Sequence, residues 1–176
     1  MPDPFDELRG QLDHIVKEFQ LGDIERALGP VARANFLAAQ GLVVCTEFLG
    51  GIRNGTLGDE APGLARKRFD SGLHLLGSNY ETNAAEAWLL RCGLLHSYLS
   101  RGKPGRDYII TNGPGLEEGF KVKIEPATGR EQVIVNVARW LGDLKAAYGQ
   151  LLDELRSNDQ MLRRAAQCLE RLPGLA

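Results

Sequence analysis

Residues 84–96 read Ala84-Ala-Glu-Ala-Trp-Leu-Leu-Arg91-Cys-Gly-Leu-Leu-His96, and Ser97-Tyr98-Leu99 follow. A guanidinium and an imidazole thus sit five positions apart in a segment that is otherwise almost wholly apolar. A turn at Gly77-Ser78-Asn79 leads in and Arg101-Gly-Lys-Pro-Gly-Arg106 breaks the pattern, which predicts a helix over about residues 81–100. A lone charge buried in such surroundings costs several kcal/mol. Arg91 therefore either has a carboxylate partner or faces a cavity where an anion sits.

Working outward, residues 4–21 carry Phe5, Leu8, Leu12, Ile15, Val16 and Phe19 at the three-and-four spacing of an amphipathic helix. Gly22 is expected to end it, with Asp23 capping a short helical turn through Leu28. Pro30 suits the first position of the next helix, where its missing N–H does no harm. That helix runs through Phe36, Leu42, Val43 and Phe48 to an expected stop at Gly50-Gly51. It is apolar nearly all round and should be central. Residues 52–62 are loop chemistry, and a third helix spans about 63–77.

After the Arg91 helix the texture changes. Asp107-Tyr-Ile-Ile-Thr111, Gly119-Phe-Lys-Val-Lys-Ile-Glu125 and Gln132-Val-Ile-Val-Asn-Val137 are short, β-branched and partly alternating, with turns at Asn112-Gly-Pro-Gly115 and Ala127-Thr-Gly-Arg130. They read as a three-stranded antiparallel meander at about 107–136. Helix resumes near 137 with Asn136 as a cap, breaks at Ser157-Asn158 and closes with a basic-faced helix over 159–171. The expectation is one mainly α domain over 1–176, a helical bundle with a small antiparallel β-meander inserted before the C-terminal helices.

Lys plus Arg (21) nearly balances Asp plus Glu (23), so any nucleic-acid surface has to be a local patch. No run of about 18 apolar residues and no charged-then-apolar leader is present, which predicts a cytoplasmic protein without a membrane partner. Cys45, Cys92 and Cys168 are widely spaced and read as small core residues of a reducing compartment. Cys92 and His96, four apart, would make half a metal site, but no second ligand pair exists, so neither metal nor cofactor is expected.

The Arg91-x4-His96 pattern on such a helix resembles the signature of the HEPN superfamily (higher eukaryotes and prokaryotes nucleotide-binding domain). That resemblance implies a helical core and, in many members, a metal-independent ribonuclease with the arginine and histidine as catalytic residues, here Arg91 and His96. It also implies a homodimer in which motifs from two subunits face one composite site, and an antitoxin protein as partner in a toxin setting. Active members often carry Asn, Asp or His after the arginine; this chain has Cys92.

The residue types suit the chemistry. RNA cleavage without metal needs a proton-transfer group near neutrality, a role for His96. It also needs a cation over the charge developing on phosphorus, a role for the planar fork of Arg91. Five residues on an ideal helix place the two about 140° apart, and Gly93 between them loosens the backbone. Glu47, the one charge in Val43-Val-Cys-Thr-Glu-Phe-Leu-Gly50, is expected to neutralise Arg91 across two packed central helices. Tyr98, on roughly the face of Arg91, either stacks a base or fills core. Arg101, Lys103 and Arg106 follow the motif helix and could grip flanking phosphates of an RNA partner; Arg66-Lys67-Arg68 is a second basic cluster that reads as a solvated face.

Three functional readings stay open on these residues. One is a HEPN-type endoribonuclease leaving 2′,3′-cyclic phosphate ends. Another is a non-catalytic HEPN-like nucleotide-binding or protein-interaction module. The last is a helical bundle whose Arg–Glu pair is purely structural.

Overall fold

The computed structural model describes residues 3–29, 34–97, 106–113 and 116–172, the side chains of 96 and 97 excepted. The helix expected at Pro30 begins in the described residues at Asn35. Asp3 caps the first helix, α1 (Pro4–Leu12), by accepting from the Phe5 N–H at 2.9 Å. α1 runs unbroken into a π-helical stretch, Asp13–Leu21, and on into α2 (Gly22–Leu28). Gly22 does not end the helix, because it keeps ordinary helical angles (φ −63°, ψ −39°). The buried face explains the π stretch: it steps from Leu12 to Val16, then five positions to Leu21, then to Ile24. One extra residue per turn keeps these on one side and leaves Phe19, counted above in the apolar stripe, 55% exposed.

α3 (Asn35–Asn54) is the central element, touching α2, α6, α7 and α8 as well as α4 (Leu64–Leu76). It has the length and apolarity of a membrane span, yet its positions from Ala38 to Ile52 are largely buried against neighbouring helices. Gly50-Gly51 is no stop. The helix continues to Asn54 and ends at Gly55, whose φ of 65° is the left-handed conformation that glycine accepts without strain. A Cβ at Gly50 would lie 1.9 Å from the Arg68 carbonyl oxygen, and one at Gly72 would lie 1.9 Å from that of Thr46. The two glycines let α3 and α4 cross backbone to backbone.

The helix carrying Arg91 starts later than the pattern suggests. A short α5 (Ser78–Thr82) precedes it, and α6 (Ala84–Ser97) begins after Asn83, whose carbonyl accepts from the N–H groups of Glu86 and Ala87 at 3.0 Å each.

The β region departs from a meander. β1 (Arg106–Thr111), β2 (Phe120–Ile124) and β3 (Glu131–Asn136) form a mixed sheet ordered β1-β3-β2, with β1 parallel and β2 antiparallel to β3. Burial accounts for the order. Val133, Ile134 and Val135 of β3 are at most 6% exposed and take the middle. The lysines at 121 and 123 keep β2 at an edge, where charge discourages further pairing. Only β2 and β3 are joined by a hairpin, in which Gly129 (φ 67°) donates to the Glu125 carbonyl at 2.8 Å. Asn136 then caps α7 (Val137–Ser157) by accepting from the Arg139 N–H at 3.2 Å, and Asn158 caps α8 (Asp159–Glu170) in the same way.

Candidate functional site

The close crossing of α3 and α4 assembles the site. Gly51 has no Cβ to meet the Arg68 Cδ, which lies 3.0 Å from where one would be. The Arg68 side chain therefore lies along α3 and reaches Glu47, with Nε and Nη2 each 3.3 Å from Oε1. Its Nη1 donates to the carbonyls of Thr56 at 3.1 Å and Asp59 at 3.0 Å, tying down the loop after α3. From the other side α6 presents Arg91, whose Nε and Nη2 donate to Glu47 Oε2 at 3.0 and 2.6 Å. The Arg91 guanidinium also lies 4.9 Å from the centroid of the Trp88 ring, within cation–π range. Arg66, paired with Asp70 at 2.8 Å, lies 5.2 Å from the same ring.

Side-chain exposure is 16% for Arg68, 14% for Glu47 and 13% for Arg91. Two guanidiniums share one carboxylate in this partly dehydrated place, so the trio carries one positive charge in excess. Such a group can hold an oxyanion, because each planar fork offers several N–H donors to one ligand.

The pairing of Arg91 with Glu47 is the contact that their isolated charges called for. His96 lies in α6, but its side chain is outside the described residues, as are Tyr98, Arg101 and Lys103. Arg106 is described, and its guanidinium is paired with two carboxylates. It opens β1 held between Glu86 and Glu131, and hydrogen bonds to these carboxylates, Glu86 first, raise its proton affinity. Tyr108 stands nearby, and burial, then the Glu86 charge, push its hydroxyl above the usual range.

Cys45 and Cys168 are buried, as core residues should be, and burial pushes the Cys45 thiol up to about 12. Cys92, beside Arg91, is half-buried. Among the described residues no group of three His, Cys, Asp or Glu side chains is placed to hold a metal ion. An apolar cavity of about 680 Å³ lies elsewhere, between α2 and α3 with Leu95 of α6 on its wall.

Arg68 is the residue that sequence reasoning passed over, as one of a basic run. The signal was present in the glycines: Gly50-Gly51 inside an apolar helix and Gly72 on the next one mark a close crossing, and Arg68 stands four residues before Gly72.

No protein-family model, curated protein or solved structure matches this chain.

Proposed function

We propose that this protein acts on RNA as a metal-independent endoribonuclease of HEPN type, with Arg91 and His96 at its centre. The observation that carries this reading is the excess positive charge of the Arg68–Glu47–Arg91 trio, one member of which, Arg91, belongs to the helix that also carries His96. In the reaction the RNA 2′-hydroxyl attacks the adjacent phosphorus, and the bond to the 5′-oxygen breaks. His96 moves the protons, and Arg91 stabilises the charge on the phosphoryl oxygens. The products are a 2′,3′-cyclic phosphate and a 5′-hydroxyl. The reading has the chain working as a homodimer, which sedimentation at micromolar concentration tests.

The experiment is RNA cleavage in EDTA with end-group analysis. Activity is expected to persist, to require a 2′-hydroxyl at the scissile position, and to fall by about 10²-fold or more in His96→Ala. Arg91→Ala should also lose activity, and its folding is checked alongside. Intact RNA under all conditions sinks the enzyme reading. A non-catalytic module is then favoured by one observation, the two hydrogen bonds that already commit Arg91 to Glu47.

A further inference from the structure

We propose that Arg68 and Arg91 form a two-guanidinium seat for one phosphate group, and that the Glu47 carboxylate is its resting occupant. The inference deepens the RNA reading and rests on it only in taking a phosphodiester as the ligand.

Charge is the first argument. All 23 Asp and Glu residues fall within the described parts of the chain, and among the described ion pairs Glu47 is the sole carboxylate on Arg68 or Arg91. The nearby acids are committed elsewhere, Asp70 to Arg66 and Asp59 to Arg171. The residues outside the described parts contain no acidic side chain, and among the described ion pairs none balances the second guanidinium. Uncompensated charge is costly where solvent is largely excluded, and a bound anion removes that cost.

Geometry is the second. One oxygen of Glu47 faces each guanidinium, tightly towards Arg91 (2.6 Å) and loosely towards Arg68 (3.3 Å). That is how two arginines divide the oxygens of a phosphate, which offers more acceptors than a carboxylate and fills both forks. Each arginine also has a support other than Glu47. Arg68 is anchored by the carbonyls of Thr56 and Asp59, and Arg91 by the Trp88 ring. If Glu47 swings out to water, both donors stay aimed at the vacated place, so the ligand meets a preorganised site.

The proposal predicts opposite signs for residues in direct contact. Glu47 competes with the ligand, and Arg68 and Arg91 bind it. Calorimetric titration of the full chain uses inorganic phosphate in one arm. The other arm uses a single-stranded oligonucleotide with 2′-deoxy sugars, which cannot be cleaved. Glu47→Gln should tighten binding by about tenfold, while Arg68→Met and Arg91→Met should each weaken it by about tenfold or more. Arg53→Met, which removes a partly buried arginine paired with Glu154 farther along α3, should leave binding unchanged. If Glu47→Gln does not fold, Glu47→Asp, too short to span both arginines, should act in the same direction. Binding in the oligonucleotide arm supports a chain phosphodiester as the ligand, and binding confined to inorganic phosphate supports a free phosphate group in the same seat.

A folded Glu47 variant that binds no tighter than wild type, or an Arg68→Met protein that binds equally well, overturns the proposal. The expected signs in a protein that cuts no RNA would keep the seat and remove the ribonuclease reading. Cleavage of RNA with no effect of Glu47 or Arg68 on binding would do the reverse.

Discussion

Two ion clusters of this protein use the same residue types in opposite proportion. Between α3, α4 and α6 one carboxylate, Glu47, stands between two guanidiniums. Where β1 meets α6 one guanidinium, Arg106, stands between two carboxylates, Glu86 and Glu131, and Glu86 has a further interaction besides. Arg91 and Arg106 are equally shielded, at 13% and 14% exposure. Only Arg91 belongs to a group with charge to spare for an anion. An arginine's neighbours, more than its own burial, therefore decide whether it can serve as a binding group.

The supports differ as well. The first cluster hangs on a glycine-mediated crossing of two helices. The second joins an edge strand to a helix through side chains alone, and Glu131 is 43% exposed.

The harshest way to break the first cluster is to separate its helices. Gly50→Ala puts a methyl group 1.9 Å from a backbone oxygen that cannot rotate away. Urea denaturation should show a loss of about 3 kcal/mol or more. Gly142→Ala on α7, with nothing within 4 Å of the new Cβ, should be neutral or stabilise by up to about 1 kcal/mol. If Gly50→Ala matches Gly142→Ala, the close crossing is wrong.

Removing the shared member of each cluster comes next. Glu47→Gln leaves two guanidiniums facing each other, at a cost of about 2–4 kcal/mol, and Arg106→Met should cost less, because Glu86 keeps a further interaction and Glu131 is exposed to water. Outer members should matter less, because the shared residue keeps one partner: about 1–2 kcal/mol for Arg68→Met or Arg91→Met, and under about 0.5 kcal/mol for the exposed Glu131→Gln. Equal losses for shared and outer residues would contradict the sharing.

A third ion cluster separates charge from packing through pH. Burial works to raise the pKa of Asp13, but hydrogen bonds from Lys17 and Tyr148, both at 2.8 Å, outweigh it and hold the value below 3.8. A folded value below the unfolded one gives stability that is complete above pH 3.8 and disappears as pH falls through the lowered folded value. The stability difference between wild type and Asp13→Asn should therefore be constant near neutrality and shrink as pH falls below 3.8. A difference that persists in acid would assign the effect to packing.

The gentlest probe is thiol labelling of the native protein. Cys92, half-buried and next to Arg91 in α6, should react with a maleimide well before Cys45, whose burial holds its thiol up near 12. Equal rates would mean that α6 opens as readily as the core.

Much of the helical frame was legible from periodicity, since a 3.6-residue repeat with a cap or a glycine at its end is a local property. Asn136 and Asn158 mark the starts of α7 and α8 in this way. The contact between Glu47 and Arg91 was also legible, because two solitary opposite charges on apolar helices have few other places to go. Gly22 misled because glycine permits a helix end without requiring one, and the buried face carried on through Leu21 and Ile24.

By itself the sequence determined where most of the helices and the β segments lie, and that Arg91 needs a negatively charged partner. The tertiary structure alone decided that β3 lies between β1 and β2, that Gly50-Gly51 is a crossing, and that Arg68 completes the charged trio. Each of these depends on which two backbones come within less than a side chain's width of each other. That distance is set jointly by segments far apart in the chain, so no pattern confined to either one reveals it.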